Sequence, residues 1–124
     1  MTTAKVLIVD DEPNILTSLE FLMTRSGYQT MVARDGDEAL AAVETFRPDL
    51  VLLDVMLPRR DGFEVCQRLR ADGWTDLKIV MLTAKGREAE IARGMDVGAD
   101  SYVTKPFSTR ELVAHVTRIL EGDR

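Results

Sequence analysis

The sequence predicts an α/β domain built on a doubly wound, five-stranded parallel sheet with strand order 2-1-3-4-5. Three observations predict it. Short apolar runs alternate five times with longer stretches of helical periodicity. The runs are close to continuously apolar, as in strands covered on both faces. The length, 124 residues, suits one domain, taken as residues 1–124. Right-handed crossovers leave few ways to thread such units, and 2-1-3-4-5 is a recurrent doubly wound solution.

The first strand is AKVLIV, residues 4–9. Pro13 then suits the opening position of a helix, because its missing N–H would be unpaired there anyway. Ile15, Leu16, Leu19, Leu22 and Met23 form its apolar stripe, and Gly27 stops it. QTMVA, residues 29–33, is the second strand. Asp35 caps a helix through Ala39, Leu40, Val43 and Phe46, which must close before Pro48. LVLL, residues 50–53, is the third strand. Asp61 opens a helix whose Val65 and Leu69 are four apart. LKIVML, residues 77–82, is the fourth strand, and Ile91 and Met95 mark a weaker helix ending near Gly98. SYVT, residues 101–104, is the short fifth strand. Leu112, Val113, Val116, Ile119 and Leu120 stripe the last helix, which Gly122 breaks.

On this layout the polar residues that matter fall at strand ends. Asp10 and Asp11 follow the first strand, Asp54 the third, Thr83 the fourth and Lys105 the fifth. All five reach the carboxyl edge of the sheet, where doubly wound folds bind ligands at the switch between strands one and three. Three carboxylates would converge there. At ~5 Å and an effective dielectric of ~20, each pair repels by roughly 3 kcal/mol. Protonation or a cation must relieve this. An all-oxygen cluster with no nearby His or Cys suits a hard divalent ion, and Mg²⁺ is the usual partner where phosphate is handled. A carboxylate beside Mg²⁺ can also act as a nucleophile and form an aspartyl phosphate. Thr83 and Lys105 supply a hydroxyl and an ammonium for the new phosphoryl oxygens, and Ala84 leaves room beside them. The plainer reading of these Asp residues is as caps and turn formers, strongest for Asp11, which precedes the Pro13 helix.

At these residues the sequence resembles the receiver domain of bacterial two-component response regulators. The matching motifs are VLIVDDEP (6–13), LVLLDVMLPRRDG (50–62), IVMLTA (79–84) and GADSYVTKPF (98–107), and the resemblance spans the whole chain. It implies a flavodoxin-like (βα)5 fold and a phospho-acceptor signalling role rather than an enzyme acting on other molecules. By this resemblance Asp54 accepts a phosphoryl group from a phosphohistidine on a sensor histidine kinase or phosphotransfer protein. Asp11 and Asp54 bind Mg²⁺ directly with the main-chain carbonyl of Met56, and Asp10 acts mainly through water. Thr83 and Lys105 hold the phosphoryl group, and Tyr102 is the aromatic switch that follows Thr83. The Lys105–Pro106 bond is cis, an uncommon state for X-Pro. The surface of helix four, strand five and helix five is the readout presented to a downstream protein target. For Tyr102 the alternative is a core aromatic with its hydroxyl at the surface.

One departure bears on assembly. Receivers of the winged-helix transcription-factor class, which this chain resembles in Met56 and TKPF, pair through that face. One typical ion pair there joins an Asp before the switch Tyr to an Arg in the last helix. Ser101 and His115 occupy those positions, so the expectation is a monomer or weak dimer after phosphorylation.

Composition excludes other classes. Acidic residues outnumber basic ones, 21 to 16, for a net charge of −5, which argues against direct nucleic-acid binding. One cysteine allows no disulfide framework or multi-cysteine metal site; Cys66 reads as a small helix residue. No run reaches membrane-spanning length and no signal peptide is evident, so a cytoplasmic location is expected. A Mg²⁺-dependent phosphohydrolase of the haloacid dehalogenase-like kind needs a second Asp two residues after the nucleophile, where Met56 stands, and a cap domain. A flavodoxin-like cofactor carrier needs a Gly/Ser/Thr-rich loop after strand one, which here reads Asp-Asp-Glu-Pro. An interaction module that is never phosphorylated leaves the set of Asp10, Asp11, Asp54, Thr83 and Lys105 unexplained. His115 reads as a partly exposed helix residue. Arg59 and Arg60 read as a solvated loop beside the acids, with steering of a kinase domain as the alternative. Lys85 is a candidate for controlling water access to the phosphoryl group. Trp74 either covers a core edge or serves a partner.

Overall fold

Apolar strands that alternate their side chains across a sheet need cover on both sides, and the helices of this chain supply it. A computed structural model describes residues 3–84 and 88–122. Lys85 lies outside the described residues. The elements run β1 (Lys5–Val9), α1 (Pro13–Arg25), β2 (Gln29–Ala33), α2 (Gly36–Phe46), β3 (Leu50–Asp54), α3 (Gly62–Ala71), β4 (Lys78–Ala84), α4 (Glu88–Asp96), β5 (Ser101–Lys105) and α5 (Thr109–Leu120). The strands form one parallel sheet in the order β2-β1-β3-β4-β5, as the sequence predicts.

The period of two along the strands sorts the core into two layers. Leu7, Val9, Val51, Leu53, Ile79 and Met81 face one side and bury Ala39 and Val43 of α2 and Phe63, Val65, Cys66 and Leu69 of α3. Val6, Ile8, Leu50, Leu52, Val80 and Leu82 face the other and bury Leu16, Leu19 and Met23 of α1 and Leu112 and Val116 of α5. Gly94 of α4 sits where an added Cβ would meet Met81 Cγ at 3.3 Å, so a small residue lets α4 lie close to β4.

Local chemistry sets the boundaries. Asp35 and Asp61 cap α2 and α3 by accepting the N–H groups of Glu38 and Glu64, as expected. Ser108 does the same for α5 through Glu111. The cap of α1 is Glu12, whose side chain makes no capping bond. The capping reading of Asp11 is therefore corrected: α1 does not use its carboxylate.

Three strands run further than expected. β3 includes Asp54, β4 runs through Thr83 to Ala84, and β5 includes Lys105. These polar residues keep ladder partners across the sheet, Asp54 with Leu82, Thr83 with Thr104 and Ala84 with Lys105. Pairing with a neighbour holds a polar residue in a strand that its own side chain does not signal.

At the amino edge of the sheet, Arg70 ties α3 to the chain entering β5. Its Nε donates to the Gly98 carbonyl at 2.9 Å, and its Nη1 to the carbonyls of Leu77 at 2.7 Å and Trp74 at 2.5 Å. Its Nη2 donates to Asp100 Oδ2 at 2.8 Å, which also accepts the Ile79 N–H at 2.8 Å. Gly98, at φ +112°, makes room: a Cβ there would lie 2.7 Å from Arg70 Cγ. Trp74 packs half-buried against the core under the Arg47 guanidinium, 4.9 Å from its ring centre, so it covers a core edge. Burial pushes the Cys66 thiol up to about 11, against the pull of Arg70, and leaves it an inert packing residue. No helix among the described residues is long and apolar enough to cross a membrane.

Candidate functional site

The sheet delivers its polar residues to one end. Asp10 follows β1, Asp54 ends β3, and Thr83 and Lys105 lie at the ends of β4 and β5. Asp10 is 1% exposed and Asp54 7%, whereas Asp11 is open to solvent. One carboxylate oxygen from each of Asp10, Asp11 and Asp54 lies within 4.8 Å of the others. The convergence expected from the strand ends is therefore present.

One ammonium serves this cluster. Lys105 Nζ lies 3.0 Å from Asp10 Oδ2 and 3.5 Å from Asp54 Oδ1. Asp10 Oδ1 also accepts the Glu12 N–H at 3.0 Å, and Asp54 Oδ1 accepts the Met56 N–H at 3.3 Å. Burial, reinforced by the Asp10 charge, pushes the Asp54 carboxyl up to about 6, although Lys105 and the Met56 N–H pull the other way. Burial works against the Lys105 ammonium too, but its bond to Asp10 and the charges of Asp54 and Asp10 outweigh it and hold its pKa above the usual lysine value. Among the described residues, three carboxylates gather here with one ammonium, which contacts two of them.

The donor set fits a hard divalent cation. The candidate ligands are carboxylate oxygens at the ends of two adjacent strands, β1 and β3, and Met56, 68% exposed, lies two residues after Asp54. A second observation points to a missing anion. Thr83 Oγ1 is buried and has no hydrogen-bond partner among the described residues. A hydroxyl so placed costs about 1–3 kcal/mol unless something binds it. Register sets Thr83 one residue past Leu82, the ladder partner of Asp54, and beside Lys105's neighbour Thr104.

The structure separates Tyr102 from this cluster. It lies on the edge strand β5, three residues before Lys105, and is 42% exposed, so the core-aromatic reading is corrected. The Lys105–Pro106 bond is cis, as the resemblance implied.

Two features escaped the sequence. Arg59 and Arg60 lie on a solvated loop, as read, but each has an ion-pair partner there. Arg59 Nε lies 3.5 Å from Asp35 Oδ2, and Arg60 Nε donates to Asp37 Oδ1 at 2.8 Å. Their partners are more than 20 residues away in sequence, and no local spacing announces such a pair. Second, Ser101 and His115 meet within the chain, Oγ to Nε2 at 2.7 Å. Arg118 Nη2 donates to His115 Nδ1 at 3.3 Å, so the neutral ring carries its proton on Nε2 and donates it to Ser101. Burial, with the Arg118 charge, lowers the His115 pKa.

Residues 6–117 match the family model of the response regulator receiver domain. The chain belongs to that family. Phosphorylation on an aspartate is general among its receiver domains, which take their signal from a sensor kinase and pass it to an effector. This receiver is 52% identical over 116 residues to the alkaline phosphatase synthesis transcriptional regulatory protein PhoP of Bacillus subtilis (strain 168), covering 94% of the chain and 48% of that protein. The chain thus spans about half the length of this curated relative. Among solved structures it resembles the chemotaxis response regulator CheY4 of Vibrio cholerae, with 34% identity, a TM-score of 0.89 and coverage of 95% of this chain and 99% of that one. It also resembles the Francisella response regulator 1452 receiver domain, with 31% identity, a TM-score of 0.90 and coverage of 98% and 100%.

Proposed function

We propose that this receiver is switched by transfer of a phosphoryl group from a kinase phosphohistidine to Asp54. The observation that carries the reading is the buried Thr83 hydroxyl, which has no partner among the described residues, beside an acid cluster that Lys105 alone among those residues serves with an ammonium. A phosphoryl group on Asp54 brings the acceptor oxygens that Thr83 and Lys105 lack.

Both protein contacts to Asp54 fall on Oδ1. Oδ2 is then the atom that attacks phosphorus: the N–P bond to the donor imidazole breaks as the O–P bond to Asp54 forms. Asp54 must be ionised to attack, and a pKa of about 6 keeps most of it so near neutral pH. Asp11, Asp54 and the main-chain carbonyl of Met56 would hold Mg²⁺, with Asp10 acting on it mainly through water while anchoring Lys105. When bound, Mg²⁺ supplies positive charge against the carboxylates and the phosphoryl oxygens. Lys105 and the Thr83 hydroxyl orient the transferred group.

Signal leaves through β5. Movement of Thr83 toward the new oxygens opens space at the end of β4, and Tyr102 turns from solvent toward it. The two conformations pre-exist, and the phosphoryl group binds one of them better. The face formed by α4, β5 and α5 then presents a changed surface to the effector. The internal Ser101–His115 bond occupies side chains that an intersubunit ion pair would need, and supports a monomer or weak dimer after phosphorylation. The likeness to a transcriptional regulator makes a transcription output the natural downstream partner, with nucleic acid contacted by that partner and not by this acidic domain.

The test is intact-mass spectrometry after incubation with Mg²⁺ and acetyl phosphate, beside Asp54→Ala. The wild type gains one phosphoryl group and the variant none. A folded, Mg²⁺-binding wild type that gains none even from a phosphorylated histidine kinase overturns the reading.

A further inference from the structure

We propose that Arg59 and Arg60 are positioning residues for the metal site. By clasping the start of α2 they hold still the β3–α3 loop, which carries the Met56 carbonyl. The inference rests on the reading of Asp11, Asp54 and Met56 as Mg²⁺ ligands.

The loop is fixed at both ends. At its near end the Gly62 N–H donates to the Val55 carbonyl at 2.9 Å, and a Cβ on Gly62 would lie 2.5 Å from the Asp54 carbonyl oxygen. The backbone of the first turn of α3 thus rests on the strand that carries Asp54. At its far end the loop sits on Gly36, the first residue of α2. The Gly36 N–H donates to the Pro58 carbonyl at 3.4 Å, and a Cβ on Gly36 would lie 2.5 Å from Arg60 Cβ. Two ion pairs then close over this seat, Arg59 with Asp35 and Arg60 with Asp37.

Arg59 shows that the clasp is a constraint on the backbone. Its φ is 71°, in the left-handed region that favours glycine. A side chain is kept in that conformation with its guanidinium on Asp35, whose other oxygen caps α2. Met56 lies between the two anchors. A carbonyl that is already in place binds a cation without an ordering cost, whereas a loose loop must be ordered as the ion arrives. Exposed ion pairs each contribute modestly, so the effect on metal affinity is expected to be about fivefold per pair.

The test is calorimetric titration of Mg²⁺ into wild type, Arg59→Gly, Arg60→Gln and Arg60→Lys, with urea unfolding of each in EDTA. Arg59→Gly relaxes the left-handed backbone, so its metal-free stability stays at or above wild type while its Mg²⁺ affinity falls about fivefold. Arg60→Gln falls by a similar factor, and Arg60→Lys recovers most of it by keeping the charge on Asp37. At saturating Mg²⁺ all of them take up phosphoryl groups from acetyl phosphate at the wild-type rate. Wild-type Mg²⁺ affinity in Arg59→Gly and Arg60→Gln overturns the positioning role and leaves the metal site standing. Slow labelling that excess Mg²⁺ does not repair also overturns it, because the arginines would then act on the donor. A wild type that takes up no Mg²⁺ overturns the metal site itself and the inference with it.

Discussion

The two edges of the sheet handle charge in opposite ways. At the amino edge, Arg70 directs its donors to three carbonyls and the Asp100 carboxylate, which in turn accepts a backbone N–H. At the carboxyl edge, Asp10 and Asp54 share Lys105 with Asp11 close by, and the Thr83 hydroxyl has no partner among the described residues. The first arrangement is complete and joins α3 to β4 and β5. The second is the one that the proposed cation and phosphoryl group would complete. A buried polar group with its partners in place is part of the scaffold, and one left wanting is poised for a ligand.

Substitution at the two edges should therefore move stability in opposite directions. The largest effect is expected at Arg70. Arg70→Met keeps much of the volume but leaves the Asp100 carboxylate and three carbonyls short of donors, and should cost about 3 kcal/mol in urea unfolding. A loss below about 1 kcal/mol would place this network among ordinary surface pairs and dissolve the contrast.

Asp54→Asn should do the reverse. Raising a carboxyl from 3.8 to about 6 means that the folded protein holds the charged form at a cost. Removing the charge should stabilise metal-free protein at about pH 7.5 by about 2 kcal/mol, somewhat less than the full shift implies because Lys105 loses a partner. The wild-type penalty is present above the folded pKa, and it is relieved as pH falls through about 6 toward 3.8, since the folded state then binds the extra proton. Metal-free wild type should gain stability from Asp54 across that window and Asp54→Asn should not; parallel pH profiles would remove Asp54 as the strained group. His115 works the other way. Its lowered pKa gives stability that is present above 6.5 and lost as pH falls below it.

Thr83→Val sharpens the comparison with a smaller change. It deletes a buried hydroxyl without altering shape, and should raise stability by about 1 kcal/mol while weakening retention of the phosphoryl group on Asp54, read as a change in its decay by mass spectrometry. Destabilisation instead would mean that the hydroxyl is satisfied in solution. The smallest effect is expected for Ser101→Ala, about 0.5 kcal/mol or less, because its bond to His115 lies at a half-exposed surface. Restoring opposite charges with Ser101→Asp and His115→Arg should leave stability similar but promote dimers of the phosphorylated form in sedimentation, where wild type stays monomeric.

The sheet order and the layering were legible because strand periodicity and helix stripes speak locally. LVLL followed by Asp and LKIVML followed by Thr place their polar residues at one edge without knowledge of any contact. The convergence of Asp10, Asp11 and Asp54 followed from topology alone. Strand ends were read short at Asp54, Thr83 and Lys105 because pairing with a neighbouring strand, a non-local effect, keeps polar residues extended. Arg70 was invisible as a staple, since on a helix it reads as one more solvated charge, and its partners arrive from Gly98 and Asp100. The Arg59 and Arg60 pairs were hidden for the same reason, and the Ser101–His115 bond was missed although both positions had drawn notice for lacking charge.

The order of strands also divides the molecule by how many neighbours each strand holds. β1, β3 and β4 are gripped on both sides, whereas β2 is paired only with β1 and β5 only with β4. The acids follow β1 or end β3, both gripped strands; Lys105 and Tyr102 stand on the edge strand β5. The molecule is in this respect an anvil with a reed along its margin: the gripped strands hold the acids steady, while the reed, fastened along one side, is the part that on the proposed reading would sound a change outward.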